Sequence, residues 1–218
     1  MGLLFHELIN KDALDNIFQS ALYFRSYWKL YIKRLTEKCQ IYDIIKAMIY
    51  KPDVDVIQQE GCAALLELST KSYYDSHNYN NIRTVATTTD GIEAVINAII
   101  NHQDNKDTIN SALKLVIELS FNAENRAKIS DKKGIEAIVK TMKKYKDSTD
   151  IIILTINILN KLARNDMMRK QIGKKDGIYA INKALRDHPQ NDDIQQLGKE
   201  VLKNLSANQK NKAIIEQL

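Results

Sequence analysis

The sequence predicts an all-α protein, a solenoid of stacked copies of one helical unit, and three observations carry that expectation. The 218 residues include only 7 glycines and 2 prolines, both well below their usual shares. A β protein needs many Gly and Pro turns, and a nucleotide fold needs a Gly-rich loop, so helices joined by short polar loops are expected. The chain also repeats itself. Gly91-Ile92-Glu93-Ala94-Val95 matches Gly134-Ile135-Glu136-Ala137-Ile138 and Gly177-Ile178-Tyr179-Ala180-Ile181, at a spacing of 43 both times. Leu119-Ser120, Leu162-Ala163 and Leu205-Ser206 keep that step, as do Arg126 with Ile129, Arg169 with Ile172 and Lys212 with Ile215. Finally, the period inside each copy is helical. Ala112, Leu115, Val116 and Leu119 stand at i, i+3, i+4 and i+7, one face of an α-helix.

Residues 1–39 lack the Gly-Ile marker. They carry a seam of Leu14, Ile17, Ala21, Phe24, Trp28, Tyr31 and Leu35, in alternating steps of three and four. Phe18, Leu22 and Ile32 widen it to a core-facing stripe. This region reads as an N-terminal cap helix on the first copy, with Phe24, Trp28 and Tyr31 as cap or partner-docking residues. Eight of the ten tyrosines precede residue 80, so an aromatic contact surface belongs to this half.

The array then occupies 40–218, divided at about 40–80, 81–123, 124–166 and 167–218, in one domain. In the first copy Ile41 to Met48 matches Ile92 to Ile99 at a step of 51. The eight extra residues fall in the polar tract from Lys71 to Asn81, read as a loop. Helix pairs are expected at about 40–70, 91–122, 134–164 and 177–207. Short helices are expected near 81–88, 124–131 and 167–173, and a closing one near 209–217. The helical face seen in the second copy recurs as Gly61, Ala64, Leu65, Leu68, as Thr155, Ile158, Leu159, Leu162, and as Gly198, Val201, Leu202, Leu205. The first slot is small or compact throughout, which implies a close helix–helix approach. Gly91, Gly134 and Gly177 share the break before the second helix, where freedom at φ is useful. Pro52 and Pro189 share the turn between second and third helices. No such helix buries its apolar face alone, whereas stacking the copies buries one continuous core.

A unit of one short and two longer helices, with Gly between the short helix and the next, resembles the armadillo repeat. The Gly-Ile-x-Ala-Ile/Val segments, the preceding Arg…Ile segments and the small-x-x-Leu-Leu-x-x-Leu third helix carry the resemblance. Gly61-Cys62-Ala63-Ala64-Leu65-Leu66-Glu67-Leu68 is a close match. HEAT repeats are the near alternative, and the recurrent Gly argues for armadillo. The resemblance implies a right-handed superhelix whose third helices line a concave face that binds extended peptides or helices. Importin-alpha-like members use a Trp and an Asn four residues apart on that helix. The Trp slots here hold Ala63, Lys114, Asn157 and Glu200, and the Asn slots hold Glu67, Glu118, Lys161 and Asn204. Only Asn204 fits, which speaks against nuclear-signal binding. The same eight residues remain the candidate groove, and their change from acidic and small to Lys and Asn suits one particular partner.

Signals for chemistry are sparse. Two cysteines, Cys39 and Cys62, are too few for a disulfide scaffold and favour a reducing compartment. His102 and His188 occupy one loop position in two copies, with Tyr145 between them, so they are a repeat feature. With Cys39, Cys62 and His77 scattered, no metal site is expected. No phosphate-binding Gly loop, dinucleotide fingerprint or nucleophile elbow occurs. Asp192-Asp193 reads as a helix-start pair. No cofactor, substrate or catalytic residue is expected. No run is long and apolar enough for a membrane span. Met1-Gly2-Leu3-Leu4-Phe5-His6 lacks a basic region, so no signal peptide is expected. The net charge of +5 and pI near 9.0 are mildly basic. Lys143, Lys144 and Lys146, with Lys132-Lys133 and Lys174-Lys175, suggest a stripe for an acidic partner. Interleaved acids make nucleic acid the weaker reading.

The expected function is non-catalytic: a protein–protein interaction scaffold, a structural subunit of a larger intracellular assembly, cytoskeletal or ciliary, in the cytoplasm. The alternative is a free adaptor that binds an extended peptide or helix in its groove.

Overall fold

A computed structural model describes residues 21–70, 77–88 and 90–218. Leu14, Ile17 and Phe18 of the N-terminal seam lie outside the described residues. Among these there are thirteen helices and no strand. The N-terminal helix α1 spans Ala21–Glu37. The first copy is α2 (Ile41–Tyr50) and α3 (Asp55–Thr70). The second is α4 (His77–Thr87), α5 (Gly91–Asn101) and α6 (Lys106–Leu119). The third is α7 (Ala123–Asp131), α8 (Gly134–Lys144) and α9 (Thr149–Leu162). The fourth is α10 (Asp166–Lys174), α11 (Gly177–Asp187) and α12 (Asp192–Leu205), and α13 (Gln209–Ile215) follows. Helix α4 begins at His77, inside the tract read as a loop.

The third helices form one layer, with α3 against α6, α6 against α9 and α9 against α12. The second helices α2, α5, α8 and α11 form the layer behind. The result is an α-solenoid. Helix α1 packs along α3 and takes the place of a third helix at the start of the array. One core cluster runs unbroken from Trp28 to Leu205. Ile44, Ile57, Leu65, Ile99, Ile109 and Leu115 are among its fully buried members, each contributing about 1.5–3 kcal/mol by leaving water.

The break before each second helix works differently from the expectation of a flexible glycine. The left-handed residue is the one before it: Asp90, Lys133 and Asp176 have φ of 62°, 64° and 61°, and none of the described glycines has positive φ. The glycine is there for space. A Cβ on Gly134 would sit 2.7 Å from Ile129 Cγ2 and closer still to the Ile129 carbonyl oxygen. The glycine lets the short helix end directly against the start of the next. Gly61 and Gly198 do serve close packing, because a Cβ on either would strike Met48 or Leu185 of the neighbouring second helix.

Asparagine caps also recur in register. Asn122, Asn165 and Asn208 cap the short helices, each accepting from backbone N–H groups of the first turn. Asn105 and Asn191 cap third helices in the same way.

A ladder joins the copies at the turns between second and third helices. Tyr145 donates its hydroxyl to Gln103 O at 2.8 Å. His188 Nε2 donates to Lys146 O at 2.7 Å. His102 Nε2 lies 2.6 Å from Pro52 O, and its Nδ1 pairs with Asp55. Donor and acceptor are equivalent in all three steps, so one contact is repeated with two residue types.

Candidate functional site

The eight groove candidates stand on the third-helix layer in two rows. Ala63, Lys114, Asn157 and Glu200 share one slot, and Glu67, Glu118, Lys161 and Asn204 share the slot one turn on. Apolar neighbours in each helix face the core, and that leaves these positions turned outward. Glu67, Lys114, Glu200 and Asn204 are exposed, while Ala63, Glu118, Asn157 and Lys161 are half-buried.

Their surroundings differ along the array. Near the first copy, a cleft of about 370 Å³ between α1 and α3 is lined by Ile32, Lys33, Thr36, Ala63 and Glu67. Lys29 and Glu60 face each other across it at 3.6 Å. Between the third and fourth copies, Asn160 Nδ2 donates to Glu200 Oε1 at 2.9 Å, and Asn204 Nδ2 donates to Asn160 Oδ1 at 2.7 Å. Asn160 thus ties together two of the candidates from adjacent rows.

At the junction of second and third copies an exposed aromatic ring meets several charged side chains. Lys161 Nζ sits 3.4 Å above the ring centroid of Phe121, a cation–π contact. Phe121 is 66% exposed. Burial lowers the Lys161 ammonium from its ordinary range, and the nearby Arg164 and Arg126 guanidiniums lower it further against the pull of Glu118. Arg126 Nη1 donates to Ser120 O and Phe121 O at 3.0 and 3.1 Å, so its guanidinium caps the end of α6. Neither Phe121 nor Arg164 is among the eight candidates. They share a slot of the repeat, one turn beyond Glu118 and Lys161, and extending the row comparison by three residues finds them.

Helix α1 presents two faces. Trp28 is 8% exposed, and Phe24 and Tyr31 pack partly buried against the core. Trp28 makes edge contacts with Phe24 at 6.2 Å and with Tyr31 at 5.5 Å between centroids. The other face carries Tyr23, Tyr27 and Leu30, which are 64%, 43% and 50% exposed.

The lysines proposed as a basic stripe are mostly paired across copies. Lys132 pairs with Glu93, and Lys175 with the equivalent Glu136 at 2.6 Å. Lys143 pairs with Asp176 at 2.9 Å, and Lys144 with Asp104. Four of the seven lysines therefore serve the stacking of copies. Cys62 is buried, which pushes its thiol up to about 12, while Cys39 is exposed. Among the described residues, no three His, Cys, Asp or Glu side chains gather in a way that could hold a metal ion. No described helix is long and apolar enough to cross a membrane.

The comparisons agree with this geometry. A family model described as the LRRK2 ARM repeat matches residues 29–217. The crystal structure of an engineered protein from the Northeast Structural Genomics Consortium is similar, with a TM-score of 0.63 at 14% identity over 89% of this chain and 78% of the other. At that identity the likeness concerns the fold. No curated protein sequence matches the chain.

Proposed function

The chain belongs to the LRRK2 ARM repeat family, and from that premise we propose that it is a non-catalytic protein–protein interaction scaffold, held as a structural subunit of a larger intracellular assembly. The fold is of the interaction-scaffold kind. The observation that carries the finer reading is the presence of two separate outward surfaces. One is the polar third-helix layer with Lys114, Glu118, Asn157 and Lys161. The other is the aromatic face of α1, where Tyr23, Tyr27 and Leu30 are solvent-facing. Exposed Tyr and Leu on one helix face, next to a polar layer on adjoining helices, suit contact with neighbours on more than one side. A free adaptor would use the third-helix layer alone.

Crosslinking mass spectrometry on assemblies purified gently from cells tests this. Crosslinks to other proteins are expected from Lys29 or Lys33 on α1 and from Lys114 or Lys161 on the third-helix layer, in the same preparation. Crosslinks confined to the third-helix layer would favour the free adaptor. A monodisperse monomer in native lysate would refute the subunit reading.

A further inference from the structure

We propose that the C-terminal ends of α6 and α9 form a docking point for a short acidic stretch of a partner polypeptide, seated over Phe121 between Lys161 and Arg164. This rests on the scaffold reading above and names the chemistry of one contact within it.

Lys132, Lys175, Lys143 and Lys144 each meet a carboxylate of another copy, and Lys170 and Lys183 meet one on their own helix. At the α6–α9 junction the cations have no such pair, as is also true of Lys133, Lys146 and Lys174, but here they gather about an exposed aromatic ring. No described carboxylate lies within ion-pair distance of Lys161, Arg164 or Arg126. Arg126 is engaged with the carbonyl groups that end α6, which leaves Lys161 and Arg164 as the outward charges. Lys161 is partly desolvated over an aromatic ring and sits among like charges. An anion placed there relieves that repulsion, and the exposed Phe121 ring offers apolar surface beside it.

Charge along the rows decides between a peptide and a nucleic acid. The neighbouring slots hold Glu118 before Lys161 and Glu200 beyond Asn157. A continuous polyanion would run against both carboxylates, whereas a stretch of one or two acidic side chains fits between them.

Fluorescence polarisation with the full chain tests the proposal. The probes are a short fluorescein-labelled peptide of glutamate, serine and leucine, its glutamine counterpart and a thymidine oligonucleotide of similar length. The variants are Lys161→Gln with Arg164→Gln, and, as a control of equal charge change, Lys143→Gln with Lys175→Gln. The glutamate peptide is expected to bind saturably and to weaken as salt rises. The first variant should lose roughly tenfold or more, as for charge-assisted hydrogen bonds, while the control stays within about twofold. Equal loss in both variants would mean attraction to net charge only and would overturn the proposal. So would equal binding of the glutamine peptide, tighter binding of the oligonucleotide, or no saturable binding of the glutamate peptide by the wild-type chain. Arg164, Lys143 and Lys175 are exposed and Lys161 is half-buried, and the salt series on the wild-type chain needs no variant. If crosslinks show a partner on the third-helix layer whose contacting segment is uncharged, the scaffold reading stands and this inference fails.

Discussion

Substituting either residue of the Lys133–Gly134 pair distinguishes two physical accounts of the repeat's turn. If Gly134 were present for backbone freedom, Gly134→Ala would cost little, because its φ is not positive. Removing unfolded-state entropy would even add about 0.4–1 kcal/mol. The structure predicts the opposite sign. The new Cβ would lie 2.7 Å from Ile129 Cγ2 and against the Ile129 carbonyl, and Ile129 is fully buried. Neither a buried isoleucine nor main chain yields cheaply, so overpacking should cost about 1–3 kcal/mol. At about 2–4 °C per kcal/mol for a chain of this size, the melting midpoint should fall by several degrees. Lys133→Gly should do the reverse. Lys133 holds φ 64°, ψ 19°, a left-handed conformation that costs a non-glycine residue roughly 1–2 kcal/mol. Glycine's greater entropy in the unfolded chain returns roughly 0.5–1 of that. A net gain of about 0.5–1 kcal/mol remains, a rise of a few degrees. Urea titrations followed by circular dichroism measure both, with the m-value checking that the transition keeps its cooperativity. A neutral or stabilising Gly134→Ala, or a destabilising Lys133→Gly, would refute the assignment of strain to Lys133 and of close approach to Gly134.

Three further outcomes follow from the same structure. Tyr145→Phe removes the donor to Gln103 O and should cost about 1 kcal/mol; an unchanged midpoint would show that the ladder between copies contributes nothing. Under native conditions only the exposed Cys39 should react with a thiol reagent, and Cys62, whose thiol burial holds up to about 12, should react only after denaturation; native reactivity that survives Cys39→Ser would contradict the buried placement. The carboxyls of Glu136, Asp166 and Asp187 are lowered from ordinary values of 4.5, 3.8 and 3.8, chiefly by hydrogen bonds from Lys175, Lys170 and Lys183. Groups lowered in the folded state stabilise it above their ordinary values, and that contribution disappears as pH falls through those values and then through the folded ones. The melting midpoint should therefore drop between about pH 5 and pH 3, and less steeply at high salt because these groups are exposed; a midpoint flat through that window at low salt would count against the pairs.

Much of the architecture was legible because the repeat prints the same requirement several times. Small residues at Gly61, Ala112, Thr155 and Gly198 reported close helix packing, and Ala112, Leu115, Val116 and Leu119 reported which face is buried. The start of α4 at His77 was not legible, because the tract from Lys71 to Asn81 is polar and holds no apolar period. Phe121 and Arg164 were overlooked at the candidate site. They follow the last periodic residue of their helices, and a period argument stops there.

By itself, the sequence determined the register of the copies, the helical face that each buries and the positions where side-chain bulk is refused. Those properties are local, set by a 3.6-residue period and a repeat length of 43. Tertiary structure alone decided what each marked residue meets. Lys132 and Lys175 read as part of a stripe for an acidic partner until stacking brought Glu93 and Glu136 beside them, and Gly134 read as a break needing freedom at φ until Ile129 was seen against it. Lys161 read as one polar slot among eight until its neighbours proved to be a ring and two guanidiniums. Apart from Gly134 with Ile129 and Lys161 with Arg164, these partners stand roughly 35–40 residues apart in the chain, and only the offset between stacked helices, fixed by core packing, determines which of them come within reach.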